Sequence, residues 1–200
     1  MSTGDSRPGA PARPSGWPGR AARVGLMAAL IAALAAFSIP LPFTPVPFTL
    51  QIFGVLLAGA LLPPAEAVAA VALYIALGAV GLPVFAQGHA GVGVLLGPTG
   101  GYLWGDLAGV GLAAWLLQRP GWAGSGLRVY LALLAGLSLT YLGGLLQLRA
   151  GWMPSWQAAL AAGAWPFLPF DLIKAAVATP VALGVRRALP ALQGSPYRAV

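Results

Sequence analysis

Asp171 and Lys174 stand three residues apart, directly after the segment PFLPF. On a helix that spacing puts a carboxylate and an ammonium on one face, where they reach each other or a shared ligand. Their surroundings are apolar, and an ionisable side chain in an apolar span is costly unless a neighbour or a ligand compensates it, so the pair reads as a functional site. The plainer reading is an ion pair that steadies a broken helix. A carboxylate acceptor beside an ammonium donor is complementary to a neutral cyclic urea or amide, whose N–H groups meet the carboxylate and whose carbonyl oxygen meets the ammonium. Phe43, Phe48, Phe85, Tyr102 and Trp104 could wall such a site, with Thr44, Gln51, Gln87 and Thr99 as neutral hydrogen-bonding groups; each aromatic fits a core or lipid-facing position as well. A rival chemistry uses Asp171 or Asp106 as the general base of a small intramembrane enzyme. Against it, no serine, cysteine or histidine stands near either carboxylate in the sequence.

The elements that must position these residues are membrane spans. Of the 200 residues, 58% are hydrophobic and only 8% charged, where a soluble domain carries roughly 25% charge. Between Val24 and Gln118 the only side chains expected to be charged are Glu66 and Asp106, too few to coat a water-soluble globule. Apolar runs predict spans at about 24–39, 50–62, 65–80, 102–117 and 129–148. A sixth begins within 158–170, is interrupted by Pro166 and Pro169, and continues over 171–185. The expected class is an all-α membrane protein of six transmembrane helices, with a disordered basic tail over 1–23, a membrane domain over 24–190 and a C-terminal tail over 191–200. The first 23 residues are rich in proline, glycine and arginine, and the apolar segments that follow argue against a cleaved signal peptide.

Three connections are unusual. PLPFTPVPFT, residues 40–49, reads as extended chain too apolar for a solvated linker. Residues 81–101, GLPVFAQGHAGVGVLLGPTGG, form the densest glycine stretch, and irregular backbone at membrane depth survives only where protein or a water-filled cavity satisfies it. The third is a short loop at 149–157 with Trp152 and Trp156. Six crossings place nine Lys/Arg, in the two tails and the 118–128 turn, on one side and Arg149 alone on the other. The positive-inside rule then makes both termini cytoplasmic and puts the three odd connections together on the outer face.

The net charge of +7 comes from residues that flank apolar runs, which argues against nucleic acid. The absence of cysteine and a lone histidine, His89, exclude thiolate chemistry and argue against zinc; no metal or cofactor is expected. GPTGGY lacks the lysine of a phosphate-binding loop, so any ATP hydrolysis must belong to partners.

Four segments together resemble one family: SIPLPFTPVPFTLQ at 38–51, GLPVFAQGHAG at 81–91, LLGPTGGYLWG at 95–105 and PFLPFDLIKA at 166–175. In this order they are similar to the BioY family, the biotin-binding S components of energy-coupling factor (ECF) vitamin transporters. The resemblance implies an S-component-like bundle in the cytoplasmic membrane that captures biotin from the extracytoplasmic face, without enzymatic activity. It places Asp171 and Lys174 at the ureido ring, and Gln51, Gln87, Thr99 and Tyr102 in the loops around the ligand. The outer loops offer no obvious cation for the ligand's carboxylate, leaving His89, Lys174 or glycine-loop amides. Implied partners are the ECF coupling transmembrane subunit and its ATPases, with self-association and membrane lipid also compatible; an S component for another water-soluble vitamin is the nearest alternative. Ala28, Ala32 and Ala36, with Ala29 and Ala33 alongside, give the first span a small-residue face, which resembles the docking motif of S components.

Overall fold

The computed structural model of the protein describes residues 17–188; residues 1–16 and the expected C-terminal tail lie outside the described residues. The helices are α1 (Trp17–Ala36), α2 (Gln51–Leu61), α3 (Pro64–Ala79), α4 (Val92–Leu96), α5 (Gly100–Leu117), α6 (Gly126–Gly151), α7 (Trp156–Gly163) and α8 (Leu168–Ala188). Residues 19–36, 126–151 and 168–188 are long and apolar enough to cross a membrane, and α2 and α3 are shorter apolar helices. The chain is an integral membrane protein built mainly from helices.

Local chemistry sets the helix ends. Pro63 and Pro64 open α3, where a missing N–H costs nothing. Its other end closes on Gly81, at φ +108°: the Leu82 N–H reaches Leu77 O at 3.1 Å and the Gly81 N–H reaches Gly78 O at 3.2 Å, the two bonds of a Schellman motif. Ser155 caps α7 through its side chain, which accepts from the Ala158 N–H. The expected interruption of the last span is the turn between α7 and α8, and Pro169 falls in the first turn of α8, where proline is tolerated. The first helix starts earlier than expected: residues 17–23, assigned to the tail, are its first turns. Arg23 explains this, donating to both oxygens of Glu66 on α3 at 2.8 and 2.7 Å.

Packing rests on small residues. On α5, Gly101, Gly105 and Gly109 face Gly136, Thr140 and Gly143 of α6 so closely that a Cβ at Gly105 would lie 2.7 Å from Leu139 O, and one at Gly136 2.6 Å from Gly109 O. Backbone against backbone is how helices associate where water provides no drive. Met27, Ala28, Ile31 and Ala35 form the inner stripe of α1. The proposed small-residue face is therefore corrected: Ala28 is 1% exposed, Ala32 packs partly against the core, and only Ala36 is exposed. Ala29 and Ala33, which stand alongside these in the sequence, are exposed with Ala36.

The proline segment folds back on itself. Ser38–Ile39 (β1) and Phe48–Thr49 (β2) pair antiparallel, Ser38 with Thr49 and Ile39 with Phe48, and close a loop over residues 40–47. At 11 residues, α2 is about 17 Å long against a hydrocarbon core of about 30 Å. Its first residues, Gln51 and Ile52, border the cavity described below.

Candidate functional site

A cavity of about 450 Å³ is lined by the proline loop (Pro45–Pro47), the glycine segment (Phe85 to Thr99), and Gly163 and Phe167 at the α7–α8 turn. Its deeper wall comes from α2, α5, α6 and α8. Two of the three connections singled out in the sequence, the proline and glycine segments, thus border one hollow of ligand size together with the α7–α8 turn, whereas no residue of the 149–157 loop lines it.

Asp171 and Lys174 lie in the first turns of α8, both buried and both lining the cavity. The Lys174 Nζ donates to Asp171 Oδ1 at 2.7 Å and to the Thr49 carbonyl at 2.6 Å, under the Phe48 ring, 4.3 Å from its centroid. Asp171 Oδ2 accepts from the Tyr141 hydroxyl at 2.6 Å. Each charge is thus compensated, as burial demands. The ammonium also ties α8 to the base of the proline loop.

Of the other expected site residues, Gln51, Phe85, Gln87, Thr99 and Tyr102 line the cavity. Phe85 is buried edge-on against Tyr74, ring centroids 5.6 Å apart, over Gly78, where any side chain would strike its ring. Gln87 is held at φ +61°, a left-handed conformation uncommon outside glycine, and its N–H donates to Ser38 Oγ at 2.8 Å, joining the glycine segment to β1. The Tyr102 hydroxyl donates to Gly163 O at 2.8 Å. His89 lines the cavity from the glycine segment and is exposed.

Thr44 is a correction. It is not among the lining residues; its hydroxyl donates to Ala162 O at 2.6 Å and accepts from the Val46 N–H at 3.1 Å, pinning the proline loop to α7. Phe43 and Trp104 are not walls either: they are 66% and 47% exposed, pointing away from a cavity that needs inward rings. Phe48 acts through Lys174 and through an edge-to-face contact with Phe170.

Sequence reasoning missed the α6 contribution. Thr140 and Tyr141 both line the cavity, and Thr140 Oγ1 donates to Asp106 Oδ1 at 2.9 Å. Gln51 Nε2 donates to Asp106 Oδ2 at 3.1 Å, and the Tyr74 hydroxyl donates to Gln51 Oε1 at 3.0 Å. Gln147 Nε2 donates to the carbonyls of Leu95 and Gly97, satisfying irregular backbone of the glycine segment. The adjacent Thr140–Tyr141 in the middle of a largely apolar helix was the available signal.

Comparison with known proteins places this arrangement. Residues 12–191 match the model of the BioY family. The chain is 42% identical over 169 residues to the biotin transporter BioY of Thermotoga maritima, covering 82% of this chain and 94% of that protein. It is 40% identical over 185 residues to the biotin transporter BioY of Rhodobacter capsulatus, covering 84% and 93%. The crystal structure of an S component for biotin from an ECF-type ABC transporter superimposes with a TM-score of 0.77 at 28% identity, over 92% of this chain and 96% of that one. These relatives are transporters, in line with the expectation that the protein is not an enzyme. With a family match spanning nearly the whole chain and a shared fold, the protein belongs to the BioY family.

Proposed function

We propose that the protein is the substrate-binding S component of an ECF-type transporter, that it captures biotin, and that it serves biotin uptake across the cytoplasmic membrane. The observation that carries this reading is the buried Asp171–Lys174 pair lining a 450 Å³ cavity bordered by the proline and glycine segments. A cyclic urea presents an N–H beside a carbonyl oxygen on one edge, and a carboxylate beside an ammonium matches that edge. Phe85, Tyr102 and Phe167 supply apolar walls, and Gln51, Gln87 and Thr99 neutral polar contacts. His89, on the exposed glycine segment, suits the ligand's carboxylate.

In this reading α1, α2, α3, α5, α6 and the α7–α8 unit are six crossings, with both termini cytoplasmic and the cavity opening outward. The charge asymmetry of the sequence supports it. An ECF coupling subunit approaches the outward face of α1, where Ala29, Ala33 and Ala36 are exposed, and its associated ATPases supply the energy. Calorimetric titration of the purified full-length protein with biotin tests the binding step: one-to-one binding is expected, and no detectable binding contradicts it.

A further inference from the structure

The cavity contains a second carboxylate. Asp106 lies one turn along α5 from Tyr102 and Leu103, with which it shares the cavity wall. It is 2% exposed and is held much as Asp171 is. Two consecutive residues of α6 each present a hydroxyl to one carboxylate, Thr140 to Asp106 and Tyr141 to Asp171. The close α5–α6 packing makes this possible, because Gly105 and Gly109 let Thr140 come against α5. The two differ in their second donor: Asp171 has the Lys174 ammonium, whereas Asp106 has the neutral amide of Gln51. Among the described residues no ion pair involves Asp106. A carboxylate offers about four acceptor positions, and two of those on Asp106 are filled. A buried acceptor of this kind, facing a ligand cavity with spare capacity and no cation, calls for a hydrogen-bond donor from the ligand.

A cyclic urea supplies one. Its two N–H groups lie on opposite flanks of the carbonyl and diverge, so the Asp171–Lys174 pair meets one N–H and the carbonyl oxygen, and the far N–H is left over. Leaving it unpaired beside the buried wall of the cavity is unfavourable. We infer that Asp106, held by Thr140 and Gln51, accepts the second N–H of the bound ring, so that the site reads both flanks of the urea with separate carboxylates. The inference rests on the transport reading above and adds a specificity-determining residue to it. Gln51 thereby also acts as a positioning residue, because its oxygen is occupied by Tyr74 and its amide nitrogen is directed at Asp106.

The experiment compares biotin with the two cyclic carbamates in which one or the other ureido N–H is exchanged for a ring oxygen, a change that removes a donor at nearly constant shape. Titrated into the wild-type protein, both carbamates should bind about tenfold or more weakly than biotin, since each leaves one carboxylate facing an acceptor. In Asp106→Asn, biotin should weaken and the discrimination against one carbamate, but not the other, should collapse. If biotin binds and either carbamate matches it on the wild type, or if Asp106→Asn keeps both discriminations, the inference is overturned while the transport reading stands. If biotin itself does not bind, both fall. Should the variant not fold, the wild-type comparison decides alone.

Discussion

Among the described residues, the Arg23–Glu66 and Asp171–Lys174 ion pairs sit in different regions and have opposite characters. Arg23 and Glu66 close α1 onto α3 in a two-pronged contact in which both carboxylate oxygens are matched by one guanidinium, with Arg20 a further 3.8 Å away. Each carboxylate oxygen is held by the guanidinium, and neither side chain borders the hollow where a guest would sit. Asp171 and Lys174 are also paired, but they line a hollow, one oxygen is held by a tyrosine that lines it too, and the ammonium bonds the backbone of a loop over it. Bare charge in an apolar sequence therefore does not distinguish a fastener from a binding site; what the pair faces does.

The comparison can be broken by mutation. Asp171→Ala leaves a buried ammonium without its carboxylate and should weaken biotin binding most, by about 3–5 kcal/mol in a calorimetric titration. Lys174→Met comes next, at about 2–4 kcal/mol, and because it also removes the bond to Thr49 O, protease cleavage within residues 40–47 should quicken. If either variant binds like the wild type, the pair is only a fastener. Arg23→Ala should do the reverse, lowering unfolding stability by about 1 kcal/mol for a partly exposed pair while leaving biotin affinity unchanged; a loss of affinity would mean that the two regions are coupled. Thr44→Val should have the smallest effect, about 0.5–1.5 kcal/mol on loop anchoring, seen as faster amide exchange in the proline loop with less than a threefold change in affinity.

Much of this arrangement was legible in the sequence because charge and proline are informative in a membrane protein. Asp171 and Lys174 stood out through the scarcity of other charges, and the proline and glycine segments marked themselves as irregular chain that must cover something. The predicted helix limits fell within a few residues, except at α1, where Arg20 and Arg23 looked like tail until a partner on α3 was known. What stayed hidden depends on rotation about helix axes. Alanine occupies both faces of α1, so the sequence could not say that Ala28 faces the core while Ala29 and Ala33 stay open. Asp106 reads in the sequence as a candidate base; that it lines the cavity, and that Gly105 and Gly109 bring Thr140 to it, depends on how α5 packs on α6. Thr44 was counted as a ligand contact because its loop covers the site, and its hydroxyl proved to be committed to Ala162.

The most direct measurement is a pair of biotin titrations run side by side on the wild-type protein and Asp171→Asn, with unfolding temperatures recorded for both. The account predicts one-to-one binding by the wild type and a loss of about a hundredfold or more in the variant, with the fold intact. Equal affinities in two folded proteins would contradict it.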